Sequence, residues 1–164
     1  MKTEPFITLS SCSIRKSCEV DAHLLAPNLR EADKQEVVSA TGRKPVESLV
    51  KGYKLGLECY TVDDNRGEPI AMYGISGLDD GKGVAIWALA SRTLVTECRE
   101  DFKAQSKLWL AKVLKKYKHV YNYVDVRNKV HIKWLKDMGF SFGEDYELGK
   151  NGELFRYFYK HLTI

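Results

Sequence analysis

Long apolar runs are missing from this sequence of 164 residues. No stretch approaches the roughly 18 uninterrupted apolar residues of a membrane-spanning helix, and the opening segment MKTEPFITLSS lacks the apolar core of a secretory signal. The expectation is a protein made in the cytoplasm, with no membrane span. Cysteine is scarce and scattered. Cys12, Cys18, Cys59 and Cys98 share no C-x-x-C spacing, which excludes a zinc knuckle and a disulfide framework and predicts reduced thiols and no bound metal. Charge of one sign is lacking too: 26 Lys+Arg stand against 22 Asp+Glu, and the net +4 is diluted along the chain. A dedicated nucleic-acid binder needs a concentrated basic stripe, so nucleic acid is not an expected partner. Glycine is absent from Val84 to Met138, an interval that becomes decisive below.

What is present is the composition of one globular domain spanning 1–164, 44% apolar and 29% charged. A chain of this size buries roughly 70% of its unfolded surface, enough for a single core without staples. Phe6 to Ile14 reads as a short strand and a loop. Asn28 and Glu31 make a capping-box pattern after Pro27, and Leu29, Ala32, Val37 and Ala40 recur at helical spacing before Gly42. A second short helix is bracketed by Pro45 and Gly52, with Val46, Leu49 and Val50 on one face.

The period then changes from helical to alternating. Leu55, Leu57 and Cys59 share one side of a strand running to Val62, Asp63 to Gly67 form a turn, and Pro69 to Ile75 return as a hairpin. After the Gly-rich and Asp-rich loop Gly77 to Gly83, the apolar run Val84 to Ala90 predicts a strand buried on both faces. The longest helix places Phe102, Trp109, Leu110, Val113, Leu114 and Tyr117 on one side, with lysines mostly opposite. His119 to Val126 reads as a strand, and Asn128 caps a helix presenting His131, Trp134, Leu135 and Met138 on one face before Gly139. Phe140 to Phe142 and Leu154 to Tyr159 close the chain as strands. This order predicts an α/β fold in which helices flank both faces of a mixed central sheet.

The segment Tyr121 to Phe140, YNYVDVRNKVHIKWLKDMGF, combines a strand, an Asn at a helix start, and Gly-Phe eleven and twelve residues beyond that Asn. It resembles the fourth-helix motif of the GNAT (Gcn5-related N-acetyltransferase) superfamily. Over nearly the whole chain, the blocks NLREADKQEVVSATGRKPVESLVKG, GEPIAMYGISG, AIWALAS, NYVDVRNKVHIKWLKDMGF and GELFRYF resemble the bacteriophage internal virion protein A family and its GNAT-like phage relatives. That resemblance implies a single-domain GNAT-like, acyl-coenzyme A N-acyltransferase fold. It also implies phage origin, a place in the host cytoplasm during infection or in the virion, and phage virion or host proteins as partners.

The same resemblance asks whether acetyl-coenzyme A is bound. The superfamily wraps the coenzyme pyrophosphate in bare backbone N–H groups of a Gly-containing loop before its third helix. Here that loop falls between Ala90 and Phe102, reads SRTLVTECRED, and has no glycine. Glu97, Glu100 and Asp101 stand at the expected first turn of the helix, where they repel a pyrophosphate. Arg92 and Arg99 argue the other way. If acetyl-coenzyme A binds, the resemblance assigns it to Leu89, Ala90, Arg92, Arg99 and Asn128. Many members place a general-acid Tyr seven residues after the motif Asn; that position is Leu135, beside Trp134, and neither side chain donates the required proton. For an amine base, Glu58, Asp125 and His131 are the candidates, and catalytic residues are left unassigned.

Each of these residues also has a structural role to fill. Asn128 is first of all a helix cap, His131 a packed imidazole at the third position of its helix, Cys59 a core residue, and Cys98 a thiol without a local His and acid to activate it. Lys107, Lys112, Lys115, Lys116 and Lys118 make a solvated helix face, and Phe155, Tyr157, Phe158 and Tyr159 an alternating sheet edge able to take a partner by strand addition. The expected function is protein contact in virion assembly or early infection on a GNAT framework without its cofactor. The alternative is an active N-acetyltransferase that uses acetyl-coenzyme A to modify an amine on a host or phage protein or small molecule.

Overall fold

The computed structural model of the chain describes residues 2–78 and 80–163. An opening hairpin, β1 (Pro5–Thr8) and β2 (Cys12–Lys16), is followed by α1 (Glu19–Leu25), a 3-10 turn (Ala26–Asn28), α2 (Glu31–Thr41) and α3 (Pro45–Leu55). Then come β3 (Glu58–Asp64), β4 (Pro69–Ser76), β5 (Val84–Ala90), α4 (Arg92–Glu97), α5 (Arg99–Tyr117), β6 (His119–Asp125) and α6 (Lys129–Asp137), and a last hairpin, β7 (Ser141–Glu147) and β8 (Leu154–His161). Among the described residues the strands form one eight-stranded sheet in the order β1-β2-β3-β4-β5-β6-β8-β7, antiparallel except where β5 meets β6. Leu25, Leu49, Met72 and Leu89 form the core beneath α1 to α3 on one face. Ile86, Leu110, Val113, Leu135 and Phe158 form it beneath α5 and α6 on the other.

Several local expectations are corrected, and in each case a tertiary contact is the cause. Asn28 does not cap α2: it ends the 3-10 turn, and the chain stays extended through Leu29 and Arg30 because Leu29 bridges Ser91 and the Arg30 N–H donates to the Ala90 carbonyl. Gly52 does not stop α3, which continues to Leu55; a Cβ at Gly52 would lie 2.8 Å from the Trp87 ring, so the glycine is the place where the indole fits against the helix. Leu55 therefore belongs to α3 rather than to a strand face, and it is 68% exposed. Helix α1 carries no spaced apolar signal, since Val20 and Leu24 point outward. The C-terminal aromatic strand is not an edge: β8 lies between β6 and β7. The edge is β7, and it carries Glu144, Asp145 and Glu147.

The first half of the sheet is pinned to α1 by a buried cation. Arg15, 1% exposed on β2, donates from Nε to Asp63 on β3 at 2.7 Å, and from Nη1 and Nη2 to Asp21 on α1 at 2.9 and 2.7 Å. The Cys18 N–H and the Thr61 hydroxyl donate to the same Asp21 carboxylate. Burial alone would push that carboxyl up, but Arg15 and these two donors outweigh it and hold Asp21 below the usual carboxylate range.

Removing one member of a buried ion pair leaves the others uncompensated. Arg15→Leu is expected to destabilise the fold by about 3–5 kcal/mol, measured by urea unfolding at pH 7. Because Asp21 is depressed, its contribution is complete above the unfolded value of about 3.9 and is lost as pH falls through the lower folded value. The wild-type chain should therefore lose stability in acid more steeply than Arg15→Leu.

Candidate functional site

The site begins where the sheet comes apart. Among the described residues β5 and β6 pair only at Val84–Val120 and Ala85–Tyr121, and beyond these they diverge. At the fork the Asn122 amide takes the place of strand backbone: its Nδ2 donates to the Ile86 carbonyl at 2.8 Å, and its Oδ1 accepts the Tyr123 N–H. Alternate residues of a strand present their N–H and C=O to opposite edges, so Ile86, Ala88 and Ala90 turn theirs toward the gap. This edge is already engaged at both ends. The Ala90 N–H donates to Asp33 Oδ2 at 2.9 Å, and the Ala90 carbonyl accepts the Arg30 N–H at 2.9 Å.

Asp33, on α2, is the hub of this closure. Its Oδ1 accepts from Asn128 Nδ2 at 2.9 Å and from Arg30 Nη1 at 3.1 Å, while Arg30 Nη2 donates to Asn128 Oδ1 at 3.1 Å. Asp33 and Asn128 are 2% and 1% exposed. Asn128 does stand at the start of α6, but its side chain caps nothing there. A buried carboxylate is a stronger acceptor than the amide's alternatives, and it draws the amide inward.

Two cavities meet at this gap. One, of about 200 Å³, lies between β5, α4, α5 and α6 and is lined by Ala90, Leu94, Arg99, Phe102 and Trp134; the last two rings stack 5.9 Å apart. The other, of about 450 Å³, lies on the opposite face among Glu36, Lys51, Trp87, Leu89, Asn122 and Phe155. Ala88 and His131 line both, and also the space of about 10 Å³ between them. His131 Nδ1 lies 3.6 Å from Glu36 Oε2, and the other Glu36 oxygen accepts the Asp125 N–H at 2.8 Å. Burial favours the neutral ring, yet the Glu36 and Asp33 carboxylates outweigh it and raise the His131 pKa above its ordinary value. Asp33, Glu36 and His131 each bring one donor atom to within 4.8 Å of the others. Both Asp33 oxygens are occupied and the Arg30 guanidinium sits against them, an arrangement that opposes a cation.

Of the residues singled out in the sequence, Ala90 and Arg99 line the smaller cavity and Leu89 the larger. Asn128 lies in the Asp33 network, and Arg92 is exposed on α4 outside both. The expected loop between Ala90 and Phe102 is instead α4 followed at once by α5. Glu97 ends α4, while Glu100 and Asp101 do occupy the first turn of α5, and the Asp101 carboxylate accepts the Ser11 N–H and the Ser10 and Ser11 hydroxyls. No glycine loop is left for a diphosphate, and the β5 edge is engaged at Ile86 and at Ala90, with Ala88 between them where the cavities meet. The smaller cavity also falls below the roughly 300–1,000 Å³ of pockets that enclose drug-sized ligands. The segment between Ala90 and Phe102 does not fit the glycine-loop pyrophosphate cradle of the resemblance.

The three candidate bases separate cleanly. Glu58 accepts from Tyr60, Trp109 and Tyr117, which hold β3 to α5, far from either cavity lining. Asp125 would be raised by burial, but Arg127 holds it below the usual range. His131 alone stands where the cavities meet. Leu135 is buried in the core, burial pushes the Cys98 thiol up, and Cys59 rises to about 11 for the same reason. Arg30, Asp33 and Glu36 escaped the sequence reading, although their spacing of three places charged residues beside Val37 on the core face of α2, which is the signal of a buried polar network.

Comparison with known proteins bears on both fold and family. The family model described as "Bacteriophage T7, probable scaffold protein Gp13" matches residues 66–147, half of the chain. No curated protein matches at the sequence level. Among solved structures, the chain is similar to a GCN5-related N-acetyltransferase from Brucella melitensis (TM-score 0.69, 14% identity, covering 98% of this chain and 80% of that one). It is also similar to a GCN5-related N-acetyltransferase from Kribbella flavida (0.66, 14%, 92% and 98%) and to the ribosomal-protein-S5-alanine acetyltransferase from Vibrio fischeri (0.62, 15%, 94% and 95%). At such identities the likeness establishes the fold, which is that of the GNAT superfamily.

Two outcomes follow from the geometry. Asp33→Ala should cost about 3–5 kcal/mol and raise hydrogen exchange at the Ala90 amide more than at Met72, because it strands a guanidinium, an amide and a backbone N–H together. His131 should titrate above the ordinary 6.5 by NMR of its ring carbons, and Glu36→Gln should bring it down. Since the folded value is raised, the ring's contribution to stability is complete below the unfolded value and fades as pH rises through the folded one.

Proposed function

The chain belongs to the family of the bacteriophage T7 probable scaffold protein Gp13, and from that premise we propose that it works by protein contact in phage assembly or early infection. In this reading it uses a GNAT framework whose coenzyme site is filled by its own side chains, and it works in the host cytoplasm or in the particle. The observation that carries it is the engaged edge of β5: Asp33 and Arg30 hold both main-chain groups of Ala90, one end of the strand edge on which a coenzyme arm would lie. The acidic first turn of α5 supports it further. No helix among the described residues is long and apolar enough to cross a membrane.

A second reading, acetyl transfer to an amine, is favoured by one feature: His131, beside Glu36, lies where the two cavities meet. It would need Arg92 and Arg99 to hold the pyrophosphate without a glycine loop, and Ala90 to release its internal partners.

A thermal shift assay separates the two. A thousandfold excess of acetyl-coenzyme A over its Kd adds about 4 kcal/mol, which for a chain of this size raises Tm on the order of 10 °C. The expected result is a shift below about 1 °C at millimolar acetyl-coenzyme A, together with normal phage yield from His131→Ala and loss of yield when the chain is deleted. A large shift, with yield abolished by His131→Ala, would establish the transferase instead.

A further inference from the structure

Five large aliphatic side chains stand exposed on the helical layer of α1 to α3 and the turn that follows it, among them Val20 and Leu24 one turn apart on α1, and Leu55. Leu55, alone of the five, lines an open groove of about 480 Å³ whose floor is Val46 and Val50, one turn apart on α3. The rim is basic. Arg43, Lys51 and Lys54 line it against a single carboxylate, Glu47, and of the three cations only Lys54 has an acidic partner among the described residues, Glu19 at 3.0 Å. The groove is continuous with the larger cavity at the strand gap, since Arg43, Lys51 and Leu55 line both.

We infer that this groove is a docking site for an acidic amphipathic helix of a partner protein. The paired valines one helical turn apart match aliphatic anchors at i and i+4 on an incoming helix, the spacing by which such helices seat in apolar grooves. The unpaired Arg43 and Lys51 require carboxylates flanking those anchors, because a basic or neutral helix would leave the cations facing it uncompensated. A nucleic acid does not suit an aliphatic floor without aromatic rings to stack on. The inference rests on the assembly reading and names the chemistry of the partner that reading calls for.

The test uses the full chain and two labelled helical peptides that share Leu anchors at i, i+4 and i+7, one flanked by Glu and one by Lys, with binding read by fluorescence anisotropy at low and high salt. The Glu peptide is expected to bind at least tenfold more tightly than the Lys peptide, to weaken with salt, and to lose at least tenfold in affinity with Val50→Asp and with Arg43→Glu/Lys51→Glu. Val50 packs partly on the core beneath α1 to α3, so Val50→Asp is expected to lower Tm while keeping a native circular dichroism spectrum, whereas the exposed Arg43→Glu/Lys51→Glu pair is expected to keep the wild-type Tm and carries the test on its own. No binding of the Glu peptide, equal binding of both peptides, or binding that survives these variants would overturn the inference. So would binding to anionic vesicles in place of the peptide, or a concentration-dependent dimer that Val50→Asp abolishes. The two readings fail separately. A chain that binds the Glu peptide at this groove and is also stabilised by acetyl-coenzyme A keeps the groove and loses the assembly reading, whereas one stabilised by neither loses only the groove.

Discussion

The Asp33 carboxylate is the constraint on which the functional region depends. It sits where a sheet has been forced open, and it accepts from three elements, the chain entering α2 through Arg30, the end of β5 through Ala90 and the start of α6 through Asn128, to which Arg30 adds its own bonds to Ala90 and Asn128. A splayed pair of strands leaves main-chain groups without partners, and such groups must be satisfied by protein, water or ligand. In this chain protein side chains do it. One buried carboxylate stabilises the fork and at the same time engages the end of the β5 edge at Ala90. The Arg15 network plays the matching part at the other end of the sheet, where a buried cation joins β2, β3 and α1.

Most of the architecture was legible in the sequence because its signals were periodic. The apolar run Val84 to Ala90, expected to be covered on both faces, has Ile86 in the core beneath α5 and α6 and Leu89 in the core beneath α1 to α3; the stripe from Phe102 to Tyr117 and the Asn-to-Gly span of α6 bury one face, and each element appears where expected. Failures cluster where a long-range bond overrides a local preference. Asn28 had a capping pattern, but the backbone beyond it is claimed by Ala90 and Ser91. Gly52 had the look of a terminator, but it is kept by the indole of Trp87. Helix α1 was invisible because it is about two turns long and its apolar residues are split, Ala22 and Leu25 facing the core and Val20 and Leu24 facing outward, a pattern that periodicity cannot separate from a loop.

The site was half legible. The missing glycines and the carboxylates at the start of α5 could be read directly, because a phosphate cradle is built from contiguous backbone. What occupies the strand edge could not, because Arg30, Asp33 and Asn128 meet only through the fold, Asp33 and Asn128 being 95 positions apart. A polar residue at a core position of a helix is the trace such a network leaves, and α2 carries it at Asp33 and Glu36.

The acidic edge strand has a bearing on how the chain meets its own copies. Open sheet edges invite lengthening by any extended peptide that drifts past, and the invitation is strongest for a sister molecule in a crowded, concentrated setting. With Glu144, Asp145 and Glu147 along β7, two such borders repel before their backbones come within reach, whatever the concentration. The β7 border is thereby guarded against pairing with its own copy.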